Sequence, residues 1–382
     1  MQDFRLNGVD PELFLNTYWQ KKPCIIRQGL VNFIDPVDEH ELAGLAMEEE
    51  IDARIISRSK DGWGMEQGPF TEHDFTALCV NQWSLLVQSV NHHIPDSQAL
   101  MSAFNFLPFW RTDDLMISYS VAGAGVGPHL DQYDVFIVQG KGSRRWQIGQ
   151  PGEHQKIYPH PQLSQIETFE PVIDEIFYPG DIIYIPPGWP HNGIALEDCI
   201  NYSVGFRAPS QQDLILSLAD FAVQTNSFNQ RFSDADIASR SSPALILDAE
   251  LCRFRKLMTE AIQSDDFERF ILTHLSQSAP GDELEPDPPF TPDDIYKLLE
   301  QGVTFSPRGG LKPLYQQSQS DDFSFYLDGQ AFKLPQHSQP LMIQLLNQDV
   351  FQAQNLARTQ EWLDFIQMLT ILVNTGYWFP EC

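Results

Sequence analysis

The sequence predicts an α+β protein: an antiparallel β sandwich or barrel, then a helical segment, then a small mixed unit. Three observations predict it. Between Trp110 and Pro209 short β-type runs follow one another, broken by Gly and Pro, with no helix between them. From about Gln211 to Ser278 apolar residues recur at helical spacing. Beyond a proline-rich acidic stretch, an Asp-Gly turn separates two short runs and two further helical patterns follow.

The first part, to about Pro209, opens on helical stretches. Glu12–Gln20 places Leu13, Phe14 and Tyr18 at helical spacing, and Pro23 ends the segment. The β runs are Leu115–Val121, Asp134–Gln139, Arg144–Ile148, Glu175–Tyr178, Ile182–Ile185 and Ile200–Phe206. In the helical segment Leu214, Ile215, Leu218, Phe221 and Ala222 form one stripe; Leu251, Phe254, Met258 and Ile262 form another. Such stripes serve either a core of their own or an oligomer interface. Ala279–Asp294 holds five prolines among six acidic residues, the composition of a stiff, solvated linker. After it, Phe323–Leu327 and Gln330–Leu334 flank Asp328-Gly329, and Leu341–Leu346 and Trp362–Val373 read as helices. That unit resembles a winged helix. The division is therefore 1–209, 210–278, 279–294 and 295–382.

Charge narrows the function. The 382 residues hold 24 Lys+Arg against 52 Asp+Glu, a net charge of −28. Phosphate contact needs Lys and Arg, so direct nucleic-acid binding is not expected; an acidic field draws basic partners instead. From Pro280 onward 14 acidic residues face 5 basic ones, the wrong sign for a DNA-reading wing. An apolar content of 42% excludes a disordered chain. The five cysteines are widely spaced and form no Cys-x-x-Cys, which excludes a zinc ribbon or a disulfide framework and fits reduced thiols. No secretory signal opens the chain, and runs such as Met368–Val373 are too short to cross a bilayer. A soluble cytoplasmic protein is expected.

The chemistry concentrates in two segments. Gly123–Asp134 is a glycine-rich stretch that delivers His129 and Asp131. In extended chain these two side chains share a face, so an imidazole nitrogen and a carboxylate oxygen reach one ion. Tyr178–His191 is a turn, an apolar strand, the rigid pair Pro186-Pro187 and then His191, sixty residues after Asp131. Antiparallel strands can return His191 to the first pair. Two His and one carboxylate that leave open positions are used by non-haem Fe(II) oxygenases; a zinc hydrolase takes a similar set with one water. A 2-oxoglutarate-dependent enzyme also needs a cation for the far carboxylate of that acid. In Ser143–Ile148 alternation puts Arg144 on the apolar face with Trp146 and Ile148. A buried Arg needs an anion, either a cosubstrate or a structural partner acid. His92-His93 point apart in regular structure, and His40, His73, His154, His160, His274 and His337 read as surface residues. No phosphate loop or Gly-x-Ser-x-Gly elbow occurs.

At these residues the sequence resembles the JmjC/cupin family of 2-oxoglutarate oxygenases, and within it the bacterial ribosomal oxygenases that hydroxylate an arginine of the sixteenth large-subunit ribosomal protein. The likeness runs nearly the whole chain, through Tyr18–Pro23, Asn32–Pro36, Glu41–Glu48, Asp113–Ser118, Gly125–Phe136, Gly180–His191, Asn201–Pro209 and Asn374–Phe379. It implies a double-stranded β-helix core with Fe(II) on His129, Asp131 and His191. It also implies Arg144, helped by Ser118, on the distal carboxylate of 2-oxoglutarate, with O2 as the oxidant. A homodimer formed by the helical segment, a winged-helix-like unit for protein contacts and a basic ribosomal protein as substrate complete the expectation. A histidyl hydroxylase, a lysine demethylase of the same class, or a metal-free scaffold are the alternatives.

Overall fold

In the computed structural model two antiparallel sheets face each other across a cavity. The structure describes residues 4, 6–240, 242–278, 286–317, 321–348 and 350–381; residues 279–285 of the expected linker, and Cys382, lie outside them. In chain order the first strands are β1 (Cys24–Ile26), β2 (Ala53–Ser59), β3 (Gly62–Gln67), β4 (Gln82–Val87), β5 (Thr112–Ser120) and β6 (Asp134–Gln139). There follow β7 (Arg144–Gly149), β8 (Lys156–His160), β9 (Leu163–Ile166), β10 (Pro171–Phe177), β11 (Ile182–Ile185), β12 (His191–Ala195) and β13 (Cys199–Phe206). The larger sheet runs β1-β11-β6-β13-β5-β4-β2-β3 and the smaller β10-β7-β12. This is the double-stranded β-helix that the family resemblance implies.

Side-chain alternation sorts the larger sheet into two faces. Phe136 and Val138 of β6 and Leu115 and Ile117 of β5 join a core with Phe14 and Leu100. Those two come from the short helices α1 (Pro11–Thr17) and α4 (Pro95–Met101); α2 (Glu39–Leu45) adds Leu42, and α3 (Glu72–Leu78) packs at its margin. Each such fully buried side chain contributes about 1.5–3 kcal/mol. The opposite face meets the smaller sheet: Val135, Ile137, Ile183 and Ile185 pack on Trp146, Ile148 and Phe177.

Strands β2, β3 and β4 precede Trp110, where the sequence predicts helical stretches first. They are specified by a distant partner. Residues Ser84–Val87 pair with Ser120–Ile117 of β5, and β2 pairs with β4 in turn, a long-range edge that local periodicity does not reveal.

Helices α5 (Gln211–Thr225), α6 (Asp248–Ile262) and α7 (Asp265–Leu275) follow. Neither α5 nor α6 buries one side chain, and α7 buries only Phe270. Val223 is 83% exposed, Met258 57% and Phe254 46%. The last unit comprises α8 (Pro292–Glu300), β14 (Thr304–Pro307), β15 (Leu314–Tyr315), β16 (Asp322–Leu327), β17 (Gln330–Pro335), α9 (Gln339–Asn347), α10 (Gln360–Asn374) and β18 (Trp378–Glu381). It has its own core, which includes Phe325, Leu345 and Phe365. The hairpin forms as the sequence predicts, with Asp328 and Gly329 at φ 46° and 75° between Leu327 and Gln330. Pro292–Asp294, read as the end of the linker, are instead the first turn of α8. Thr291 and Asp294 cap each other there, and proline suits a helix start as well as a linker.

Candidate metal centre and cavity

The glycine-rich approach to His129 lets the chain run hard against β12. A Cβ at Gly125 would sit 2.1 Å from the Gly193 carbonyl oxygen, and Gly127 adopts φ +82° against the Gln165 side chain. His129 and His191 then exchange backbone hydrogen bonds, each N–H donating to the other's carbonyl at 3.0 Å. His129 is thereby added to the smaller sheet beside β12. After Pro186-Pro187, the Gly188 N–H donates to the Asp131 carbonyl at 2.8 Å, which ties the second loop to the first.

Three donor atoms converge as a result. The ligand atoms of His129, Asp131 and His191 all lie within 4.8 Å of one another. Asp131 Oδ2 is 3.4 Å from His191 Nε2 and 3.8 Å from His129 Nε2. Each ring's other nitrogen lies beside a backbone carbonyl: His129 Nδ1 is 2.9 Å from the Gly127 oxygen, and His191 Nδ1 is 3.0 Å from the Trp189 oxygen. A proton on Nδ1 suits both contacts, and it leaves the Nε2 lone pair for a cation. Burial, with the neighbouring His191, lowers the His129 pKa to about 4. Burial pushes the Asp131 pKa up, but the imidazoles of His191 and His129, which are protonated and cationic in the acid range where the carboxyl titrates, outweigh it and bring it to about 2. At neutral pH the set therefore holds a neutral imidazole and an ionised carboxylate, the forms that bind metal.

The cavity beside these ligands measures about 310 Å³. One face of β5 lines it with Asp114, Met116, Ser118 and Ser120. Arg144 enters from β7, 5% exposed, on the face shared with Trp146 and Ile148 as the sequence predicts. It forms no ion pair among the described residues, and its Nε is buried without a hydrogen-bond partner. The hydroxyl that it touches is that of Ser120, which also shares a 2.7 Å hydrogen bond with Ser84. Ser118 is buried in the same wall one alternation away. A lone buried guanidinium is costly unless an anion joins it, so the site fits a small carboxylate.

The other end of β5 is polar. Asp113 pairs with Arg207 at 3.1 Å, and Asp114 Oδ2 accepts from the Ser89 N–H and hydroxyl. Sequence reasoning missed Asp113, Asp114, Ser120 and Arg207 as cavity residues; the period-2 alternation of Leu115–Val121 was the signal available for Ser120. Of the remaining histidines, His40, His73 and His337 are exposed and His154, His160 and His274 half-buried. His92 and His93, with ring centroids 6.3 Å apart, belong to no group of three metal-capable donors among the described residues.

A β-helix that brings two imidazoles and one carboxylate together above a buried, unpaired guanidinium defines a cupin-type oxygenase core. The sequence matches the family model for the JmjC domain over residues 99–214 and that for the ROXA-like winged helix over 256–379. It is 45% identical over 370 residues to the ribosomal protein uL16 3-hydroxylase of Escherichia coli (strain K12), covering 96% of this chain and 97% of that one. A probable ribosomal oxygenase of Haemophilus influenzae is 33% identical over 81% of this chain and 80% of its own. The chain belongs to the JmjC-domain ribosomal oxygenases. The solved structure of the E. coli ribosomal oxygenase YcfD in complex with cobalt and 2-oxoglutarate superposes with a TM-score of 0.87 at 44% identity, over 99% of this chain and 100% of that one.

Proposed function

We propose that the protein is an Fe(II)- and 2-oxoglutarate-dependent oxygenase that hydroxylates the β-carbon of an arginine in a basic large-subunit ribosomal protein. The observation that carries this reading is the pairing, in one cavity, of three convergent metal donors with a buried Arg144 that has no carboxylate partner among the described residues. The E. coli relative's activity on uL16, and the YcfD complex with cobalt and 2-oxoglutarate, support the same reading.

His129, Asp131 and His191 would hold the iron. Bound there, iron and 2-oxoglutarate supply the oxidation: O2 gives one oxygen atom to succinate, with loss of CO2, and the other to a substrate C–H bond. Arg144 holds the distal carboxylate of the acid through its planar fork, and Ser118 contributes a hydroxyl from the neighbouring wall. Trp146, Val135 and Ile137 line the cavity with apolar surface and exclude water beside the metal. Asp113 and Asp114 present carboxylates to an entering guanidinium, and the net charge of −28 favours encounter with a basic target.

The work divides among a catalytic domain (1–209), a helical dimerisation segment (210–278), a linker ending before α8 (279–291) and a winged-helix-like unit (292–382). A second copy of the chain is the occupant that fits the apolar face of α5 and α6, since those helices bury nothing within one chain. No helix among the described residues is long and apolar enough to cross a membrane, and a ribosomal substrate supports a cytoplasmic location.

The test is incubation with Fe(II), 2-oxoglutarate and large-subunit ribosomal proteins, followed by mass spectrometry. One added oxygen on an arginine β-carbon, with matching succinate, is expected. Modification only of histidine, or only loss of methyl groups from lysine, would replace this reading with another of the same class.

A further inference from the structure

The C-terminal unit meets the catalytic domain beside the cavity mouth. Its 308–312 loop, between β14 and β15, lies on the 3₁₀ turn Val90–His92. Gly310 adopts φ +74°, and a Cβ there would come within 2.1 Å of His92 Nε2; at Gly309 a Cβ would meet the Asn91 carbonyl oxygen at 2.1 Å. The Gly310 N–H donates to Gln98 Oε1 at 3.4 Å, and Asn91 Nδ2 donates to the same oxygen at 3.2 Å. Only glycines allow so close a seat.

The other side of this turn grips β5. The Ser89 N–H and Oγ both donate to Asp114 Oδ2, at 2.9 and 3.1 Å, and the Leu115 N–H donates to Asn91 Oδ1 at 3.0 Å. Ser89 itself has φ +54°, a conformation that a non-glycine residue keeps only where its surroundings fix it. The two carboxylates of the mouth are thus held differently. Asp113 is tied by Arg207 of its own domain, whereas Asp114 is tied to a turn covered by the C-terminal unit. Lys312, two residues beyond Gly310, is half-buried; burial lowers its pKa, and the nearby carboxylates of Asp113 and Asp114 offset only part of that.

We propose that the 308–312 loop is a positioning element for the catalytic cavity: by bracing the Ser89–His92 turn, the C-terminal unit fixes the Asp114 carboxylate where a cationic substrate side chain enters. This rests on the reading of the enzyme as an arginine hydroxylase. It gives the winged-helix-like unit a part in substrate binding from within the same chain.

The experiment uses the full-length, iron-loaded protein and an arginine-containing ribosomal peptide. In Gly310→Ala, KM for the peptide is expected to rise about 10-fold, while kcat and peptide-independent succinate formation stay within about 2-fold. Adding His92→Ala removes the clash with the new methyl group, leaving only the strain of a left-handed alanine, and should return KM part of the way. Should Gly310→Ala fail to fold, Ser89→Ala removes one of the two bonds to Asp114 without touching the seam; KM should rise about 3-fold at unchanged kcat. A folded Gly310→Ala with wild-type KM, or Ser89→Ala with wild-type KM, overturns the proposal. Wild-type enzyme that forms succinate yet modifies no arginine would instead overturn the functional reading beneath it.

Discussion

The catalytic cavity and the α5–α6 segment both leave groups unmet, but in opposite ways. In the cavity the unmet groups are polar and buried: the convergent donors of His129, Asp131 and His191, and the Arg144 Nε. On α5 and α6 they are apolar and exposed: Ile215, Leu216, Val223, Phe254 and Met258. Burial without a partner costs a polar group, and exposure without a partner costs an apolar one, so each region advertises what completes it. On the proposed function, small charged ligands would complete the first and a protein surface the second.

The largest effect should come from breaking the cavity's donor set. His129→Ala or Asp131→Ala is expected to lower hydroxylation by at least about 10³-fold with the fold intact, since no other described residues offer a metal-binding cluster. Activity assays beside thermal melts check this, and undiminished hydroxylation would refute the assignment. Arg144→Met should raise KM for 2-oxoglutarate by about 100-fold while iron affinity holds, as expected when one partner of a buried charge pair is removed. Titration of succinate formation against cosubstrate reads it.

His92 sharpens the contrast, because its Nε2 is buried and unpartnered yet has no room for a ligand. Burial, and then the charges of His93, Arg308 and Lys312, lower its pKa to about 4. A free imidazole protonates near pH 6.5, so below that pH the unfolded chain takes up a proton that the folded one refuses. Stability should fall between about pH 6.5 and 4, by up to roughly 3 kcal/mol, and stay level below that. His92→Leu should flatten this limb in urea melts across the range. The smallest change in stability is expected on the helical segment. Val223→Asp with Met258→Asp, at two of the more exposed apolar positions, should cost the monomer about 0.5 kcal/mol or less yet halve the mass in light scattering. Unaltered mass would break the comparison on that side.

Much of this was legible in the sequence, for identifiable reasons. His129 and Asp131 sit two apart in extended chain, and Pro186-Pro187 fixes the approach to His191, so local geometry already specified a shared face. Arg144 was visible because parity alone placed it among apolar residues. Parity could not separate Ser118 from Ser120: both face the cavity, and the stagger between the two sheets decides which hydroxyl meets the guanidinium. Nor could it find the β2–β4 extension or the seat of Gly309-Gly310 on Asn91-His92, which depend on partners far along the chain.

Strand β5 has one further consequence. It carries Ser120, in touch with Arg144, at one end of its cavity face and Asp114 six residues earlier at the other, roughly 20 Å along an extended chain. One continuous stretch of backbone thus sets the distance between the proposed cosubstrate anchor and the proposed substrate port. Deleting a single residue between them would turn one end outward by parity, whereas deleting two would keep both facing inward and shorten the span by roughly 7 Å. The reach of acceptable side chains is gauged by a strand whose increments come in pairs.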